Sequence, residues 1–271
     1  MYNRPQELEE LLESITRQKG DVPLEVIVVE DGSDITSENV VNQFEDKLNI
    51  KYCFKQNSGP GDSRNYGMRR SSGAYFLLLD SDCLLPEDYL VKVNAALERN
   101  FTDAFGGPDA AHSSFSLNQK AFNYAMTSLL STGGLRSSES EKRKFQLRSF
   151  NMGISSQAFE LTGGFAKQRI GEDIDLNFRL LQKNCSTQFL PEALVFHKRR
   201  STWMQFFRQT RNFGSARPIL NRMHPGTAKF TYLLPSLFDL GLMASIVLVF
   251  FGFPFLLITF AVYFLAVFVD S

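Results

Sequence analysis

Short apolar runs alternate with amphipathic segments along most of the chain. Brief, mostly apolar runs predict buried strands, whereas apolar residues three or four positions apart predict helices. The predicted strands are 24–29, 50–54, 75–79 and 193–196, and the predicted helices are 5–18, 37–48, 63–71 and 173–183. This alternation favours an α/β fold with a mostly parallel sheet and helices on both of its faces.

The C-terminal segment differs in kind from the rest. Between residues 233 and 269 the ionisable side chains are Asp239 and Tyr263, and Pro254 divides the run. A membrane-spanning helix needs about 20 apolar residues, so the segment predicts a hairpin of two short spans. A buried helical pair and an interfacial hairpin that does not cross are the alternatives.

Basic residues precede the apolar segment, between positions 198 and 229. Positive residues mark the cytoplasmic side of a span, so we expect the α/β domain to face the cytoplasm at the cell (inner) membrane. The predicted division is an α/β domain at 1–216, a basic linker at 217–232 and a transmembrane region at 233–271.

Composition adds two further expectations. The chain has 29 basic and 29 acidic residues, and this balance predicts no general attraction to nucleic acid. Its cysteines, Cys53, Cys83 and Cys185, lack the spacing of a metal site and are interpreted as reduced thiols.

Acidic residues follow two of the predicted strands. Asp80 and Asp82 come directly after strand 75–79, and Asp31 follows strand 24–29. Open α/β sheets bind ligands at the carboxyl ends of their strands. Clustered carboxylates suit Mg²⁺ or Mn²⁺, which in turn suit phosphate oxygens. Because aspartate is also a common turn residue, each acid taken alone decides little.

A glycine-rich loop and an acidic helix start complete the set. The loop 57–67 contains Gly59 and Arg64 and opens a predicted helix. Backbone N–H groups at such a helix start, with an arginine, can face a diphosphate. Glu172 and Asp173 open a later helix. Acidic residues in a first turn complement the helix dipole. Three of the four residues 172–175 are acidic, which is more than this role requires and favours a functional one.

In this order, the motifs resemble the family 2 glycosyltransferases, which have the Rossmann-like GT-A fold. The matching segments are 2–5, 29–33, 59–67, 80–82, 151–153, 163–165 and 172–173. The resemblance extends from residue 2 to about residue 216. It implies a nucleotide-sugar donor, most often a UDP-sugar, a glycan or lipid-linked acceptor, and Mg²⁺ or Mn²⁺ as cofactor.

The resemblance also implies roles for individual residues. Asp31, Gly59, Arg64 and Asp80 would bind the donor nucleotide, and Asp80 and Asp82 would bind the metal and its diphosphate. Asp173 would be the general base, with Glu172 as the alternative. One base acting in a direct displacement inverts the anomeric centre, and a metal stabilises the charge on the leaving diphosphate.

Four further residues are weaker expectations from the same resemblance. His197 would reach the metal, Asn151 belongs to the acceptor-side segment, and Arg208 and Arg211 lie in a segment similar to the Gln-x-x-Arg-Trp motif of processive members. No Trp follows Arg211, which leaves processive synthesis in doubt. A basic surface that faces the membrane is an equal interpretation of both arginines.

Two other functions are compatible with the pattern. A nucleotidyltransferase also uses aspartates and a metal, but it leaves Glu172 and Asp173 unexplained. A non-catalytic membrane-associated scaffold is the second, because the strand that normally precedes the 2–5 motif in the family is absent from this sequence. We therefore expect a sheet with an unpaired strand edge.

Overall fold

A computed structural model of the chain describes residues 1–112, 115–128, 130, 146–198 and 202–270. The helices are α1 (Pro5–Thr16), α2 (Glu38–Asn42), α3 (Pro60–Met68), α4 (Tyr89–Arg99), α5 (Leu117–Thr127), α6 (Ser156–Thr162), α7 (Glu172–Gln182), α8 (Trp203–Met223), α9 (Leu234–Val249) and α10 (Phe255–Asp270). The strands are β1 (Val26–Asp31), β2 (Ile50–Lys55), β3 (Tyr75–Leu79), β4 (Cys83–Leu84), β5 (Ala104–Gly106), β6 (Asp109–Ala110), β7 (Asn151–Ser155), β8 (Thr187–Phe189) and β9 (Val195–His197). The predicted α/β alternation is confirmed.

The strands form mixed sheets where the sequence predicted a mostly parallel one. Their orders are β1-β2, β3-β7-β5-β8 and β4-β9-β6. Among the described strands, β1–β2, β5–β8 and β6–β9 are parallel pairs, whereas β7 is antiparallel to both of its neighbours and β4 is antiparallel to β9. The difference arises because β7 enters between β3 and β5 in the opposite direction.

An apolar cleft lies between β1 and β3. Within the described chain, the edge of β1 opposite β2 pairs only with Met1, whose amino group donates to Val29 O (2.6 Å) and whose carbonyl accepts from Asp31 N (2.8 Å). The cleft has a volume of about 980 Å³ and is lined by apolar side chains of β1, β3, α1 and α4. Apart from this pairing with Met1, the edge of β1 has no strand neighbour among the described residues, as expected. The cleft opens onto Asp31, Arg64 and Asp80.

Two apolar clusters set the positions of the strand ends. One packs α1 and α4 against β1 and β5, with Leu12, Tyr89 and Phe105 fully buried. The other packs α3, α6 and α7 against β3 and β7. Burying one such side chain contributes about 1.5–3 kcal/mol. The second cluster brings the first turn of α7 to the carboxyl end of β3.

The C-terminal helices are apolar and exposed. The 20-residue segment Phe230–Val249 is long and apolar enough to cross a membrane, and only 6% of its most apolar window is buried. This exposure argues against the alternative of a buried helical pair. The segment Phe255–Asp270 is a shorter apolar helix. The predicted boundary after residue 216 falls inside α8, which continues to Met223.

Candidate active site

Asp31 holds the glycine-rich loop to the end of β1. Its Oδ1 accepts from Lys55 Nζ (2.6 Å) and Ser58 N (2.9 Å), and its Oδ2 accepts from Gly59 N (2.9 Å). Burial disfavours the charged carboxylate, but these hydrogen bonds outweigh burial and lower the pKa of Asp31. Gly59 has a φ of +100°, which strains any other residue. The carboxylate therefore fixes the loop amides just before α3.

Arg64 connects the two acidic motifs. From α3, its Nη2 lies 2.6 Å from Asp80 Oδ1 and its Nη1 lies 3.2 Å from Glu172 Oε1. The guanidinium also lies over the ring of Phe165, 5.4 Å from its centroid, a favourable cation–π arrangement. Because Arg64 and Glu172 are 14% and 11% exposed, water screens their ion pair only weakly, whereas Asp80 is more exposed. One residue thus brings together α3, the end of β3 and the start of α7.

The first turn of α7 presents two carboxylates in different environments. Glu172 is buried, and burial raises its pKa although Arg64 opposes this effect. Asp173 is half-buried, and its Oδ1 accepts from Ile174 N (2.8 Å). In the part of the chain that the structure describes, Asp173 forms no ion pair. Glu172 is therefore held by Arg64, whereas no described cationic side chain pairs with Asp173.

The pairing of β4 with β9 places His197 beside Asp82. Cys83 is in register with His197, and His197 Nε2 lies 3.2 Å from Asp82 Oδ1. Its Nδ1 lies 3.7 Å from Asp109 Oδ2, and its ring stacks on Phe150. Burial disfavours the imidazolium, yet the carboxylates of Asp109 and Asp82 outweigh burial and raise the pKa of His197 to about 9.

Asp82 has a second cationic neighbour. Arg4 Nη1, at the start of α1, lies 2.5 Å from Asp82 Oδ2. Burial alone would raise the pKa of Asp82, but His197 and Arg4 together hold it well below its usual range. The carboxylate is therefore ionised and lies between two cationic side chains, one on α1 and one on β9.

Comparison with known proteins identifies the family. The sequence profile described as "Glycosyl transferase family 2" matches residues 1–161 of this 271-residue chain. The chain belongs to glycosyl transferase family 2. It is an enzyme of the glycosyltransferase class, as the motifs predicted.

Relatives and solved structures agree with this assignment. Chondroitin synthase from Pasteurella multocida is 24% identical over 231 residues, which cover 73% of this chain and 24% of the synthase. Staphylococcus aureus TarS 1–349 with UDP-GlcNAc has a TM-score of 0.55 at 19% identity, over 79% of this chain and 64% of that one. Mannosyltransferase PcManGT from Pyrobaculum calidifontis, with GDP-Man and Mn²⁺, has a TM-score of 0.59 at 16% identity, over 86% and 64%.

These structures show that the glycosyltransferase has the predicted GT-A fold. The chain spans about a quarter or less of the length of the curated relatives it matches. The family is established by its profile, while the reaction and the substrates of this chain are treated as proposals below.

The donor set beside Asp82 fits Mg²⁺ or Mn²⁺. Ligand atoms of Asp82, Cys83 and His197 lie within 4.8 Å of one another. Carboxylate oxygen suits both ions and imidazole nitrogen suits transition metals. Burial raises the pKa of the Cys83 thiol well above its usual value, and its Sγ lies 3.4 Å from Phe150 O. Asp82 is therefore the side chain that would hold the ion, and His197 would join it only after losing the proton that Asp82 and Asp109 now stabilise, with Cys83 remaining a thiol.

Asn151 does not have the environment of an acceptor-binding residue. Its side chain is fully buried in β7. The amide oxygen accepts from Tyr89 Oη (2.7 Å), and the amide nitrogen donates to Ala193 O (2.6 Å) and Pro108 O (3.3 Å). The expected acceptor contact is corrected to a structural role, because these bonds occupy both ends of the amide.

Arg208 and Arg211 lie exposed on α8. Among the described residues, no hydrogen bond or ion pair joins either arginine to Arg64, Asp80 or Asp82. Their predicted contact with diphosphate or acceptor therefore stays a prediction, as does the basic membrane-facing surface.

Three residues of the site escaped the sequence analysis, namely Lys55, Asp109 and Arg169, and Arg4 entered it only as part of the 2–5 motif, with no role of its own. Lys55 is in register with Asp31 across the parallel β1–β2 pair, so the predicted strand ends could have revealed it. Arg169 Nη2 donates to Asn57 Oδ1 (3.0 Å) and lines the cleft. No local pattern marks Asp109 or Arg169, because only the tertiary fold brings them to the site.

Proposed function

We propose that this glycosyltransferase is an inverting, metal-dependent enzyme that transfers a sugar from a UDP-sugar to a glycan or lipid-linked acceptor at the cytoplasmic face of a membrane. The observation that supports it most is the link that Arg64 makes between the more exposed carboxylate of Asp80 and the buried carboxylate of Glu172. Arg64, a cation that could bind phosphate, lies between Asp80 at the end of β3 and Glu172 in the first turn of α7. UDP-GlcNAc, GDP-Man and Mn²⁺ in the two similar structures are consistent with this chemistry.

The donor diphosphate would bind where α3 begins. The loop amides at Ser58 and Gly59 are fixed by Asp31, and a helix N-terminus favours an anion. Arg64 and Arg169 line the same cleft and supply positive charge to phosphate oxygens. A Mg²⁺ or Mn²⁺ ion held by Asp82 and by the deprotonated His197 would stabilise the negative charge of the leaving diphosphate.

Asp173 is the proposed general base. A base must be free to reach the proton of the acceptor hydroxyl. Glu172 is buried and paired with Arg64, whereas Asp173 is half-buried and has no ion pair among the described residues. With Asp173 removing that proton during the attack, the acceptor oxygen displaces the diphosphate directly and the anomeric configuration inverts.

Replacing the two acids separately tests these roles. Asp173→Asn in the full chain is expected to lower kcat for transfer about 10²–10⁴-fold with donor KM little changed. Glu172→Gln is expected to raise donor KM, because it releases Arg64. The measurement is nucleoside diphosphate release and glycosylated product in membranes supplied with UDP-sugars and Mn²⁺.

Asp46→Asn, at an exposed position, is the matched control and should behave like the wild type. Unchanged transfer by Asp173→Asn would exclude it as the base. Pyrophosphate in place of nucleoside diphosphate would identify a nucleotidyltransferase. Absence of nucleotide binding and turnover with every UDP-sugar would favour the scaffold.

A further inference from the structure

The C-terminal half of α8 packs on the first turn of α7. Ala216 and Leu220 are buried against Ile174. The contact reaches the backbone itself, because a Cβ on Gly171 would lie 3.1 Å from Leu220 Cδ1 and 3.3 Å from Ala216 Cβ. Thus α8, which leads toward the apolar C-terminal segment, packs directly on the turn that carries Glu172 and Asp173.

His224, the residue after α8, contacts both ends of α7. It is 6% exposed. Its Nε2 lies 2.8 Å from Asp175 Oδ1, and its Nδ1 lies 3.4 Å from Gln182 Nε2. Since a carboxylate oxygen accepts, Nε2–H donates to Asp175, while Nδ1 lies against the side-chain amide of Gln182. A single imidazole therefore holds the first and the last turn of α7.

Asp175 is the buried centre of this contact. It is fully buried, and its Oδ2 accepts from Arg179 Nε (2.9 Å) and Nη2 (2.7 Å). Arg179 in turn donates to Thr162 O (2.7 Å) at the end of α6. Buried carboxylates persist only with such partners. The mechanism proposed above does not use the side chains of His224, Asp175 or Arg179.

We infer that His224 is a positioning residue for glycosyl transfer, acting through Asp175 on the direction of Asp173. Asp173 and Asp175 lie in the same helical turn, so a rotation of α7 that moves one carboxylate moves the other. His224 and the Leu220 contact oppose that rotation from the α8 side. The inference rests on the proposed function, in which Asp173 is the base.

The same contact ties the candidate base to the membrane-directed end of the chain. After His224, Thr227 Oγ1 donates to His224 O (2.8 Å), and the apolar segment Phe230–Val249 follows. Within α8, seven residues before His224, Arg217 lies over the ring of Tyr232 at the start of that segment. The position of α7 is therefore set partly by residues that adjoin the apolar segment, and not only by the core of the α/β domain.

The test compares three variants of the full chain. His224→Phe keeps a ring but removes both hydrogen bonds, and it is expected to lower kcat roughly 10- to 100-fold, as misplacement of a catalytic group does, with donor KM within about threefold of the wild type. His224→Gln restores one N–H donor toward Asp175 and should recover most of kcat. Arg222→Gln, exposed in the last turn of α8, is the control and should leave both constants unchanged.

Thermal unfolding of each variant is measured beside the kinetics. A loss of kcat in His224→Phe, with recovery in His224→Gln, supports positioning. Wild-type kcat in His224→Phe overturns the inference. It is also overturned if both His224 variants lose kcat and unfold at equally lowered temperatures, because the residue then serves stability alone. Failure of the base assignment is distinguishable, since it shows as full activity in Asp173→Asn in the same assay.

Discussion

At Arg64, one guanidinium pairs with carboxylates from two motifs, and the second lies 108 residues away along the chain. The sequence named Arg64, Asp80 and Glu172 as site residues, but it did not indicate that they contact one another. That pairing depends on the direction of the first turn of α7, which Gly171 and the α8 contact determine. Arg64 and Glu172 are both largely buried, and removing one partner of a buried pair leaves an uncompensated charge; Asp80 is more exposed and contributes to the same guanidinium from its other side.

At the residue scale, the clearest test concerns Asp82. Asp82→Asn removes the carboxylate charge that lies between Arg4 and His197, and with it a ligand that Mg²⁺ or Mn²⁺ requires. Binding of UDP in the presence of Mn²⁺ is expected to weaken at least about tenfold, while binding without metal changes little, as measured by calorimetry. Equal Mn²⁺ dependence in Asp82→Asn and in the Asp46→Asn control would place the ion elsewhere.

The positions of the helices and strands were largely predictable from the sequence, whereas the pairing of the strands was not. Strand 75–79 matches β3 at both ends, and the helix predicted at 173–183 is α7 shifted by one residue. The helix predicted at 37–48 ends at Asn42, because the following turns bond back over three residues, as in Phe44 N to Val41 O. The position of β7 between β3 and β5 is a long-range pairing that no local pattern specifies.

At the element scale, the cleft between β1 and β3 makes a prediction about strand addition. Met1 already pairs in a parallel register with Glu30. A six-residue Val- and Ile-rich segment fused directly before Met1 is expected to extend this ladder and bury apolar side chains in the cleft. Each buried side chain contributes about 1.5–3 kcal/mol, so the unfolding temperature should rise by roughly 5 °C or more.

A segment of equal length made of Gly, Ser and Asp is the control for strand addition, because it offers backbone groups without apolar side chains. Thermal unfolding followed by circular dichroism measures both proteins. An equal shift with the two segments would show that the cleft does not accept an apolar strand.

The whole molecule combines an α/β domain with a strongly apolar end. Large exposed apolar surfaces mark interaction with a membrane or another protein, and here they cover two successive helices that pack through Phe238, Phe260 and Phe264. The segment Phe230–Val249 has the length of a span, about 30 Å at 1.5 Å per residue, and Phe255–Asp270 is shorter, at about 24 Å. Hydropathy predicted the two apolar helices. It did not predict that α8, which precedes them, would pack on the first turn of α7 in the α/β domain.

At this scale, the predicted hairpin is tested by its topology. In cells expressing a Cys185→Ser background, Phe253→Cys lies at the turn between α9 and α10, and Glu160→Cys lies exposed on α6. If both helices cross, an impermeant maleimide should label position 253 from outside intact cells. Position 160 should be labelled only after permeabilisation. Labelling of both positions only after permeabilisation would identify an interfacial hairpin.

Gly171 has a consequence for how this enzyme tolerates change in its sequence. It binds no substrate in the proposed mechanism, yet its φ of +73° strains any residue with a side chain, and a Cβ there would crowd Leu220 and Ala216. A substitution there would combine backbone strain with separation of α8 from α7. Mutational tolerance in this enzyme is therefore limited by helix packing as well as by catalytic chemistry, and inactive variants at Gly171 would carry an intact set of catalytic groups.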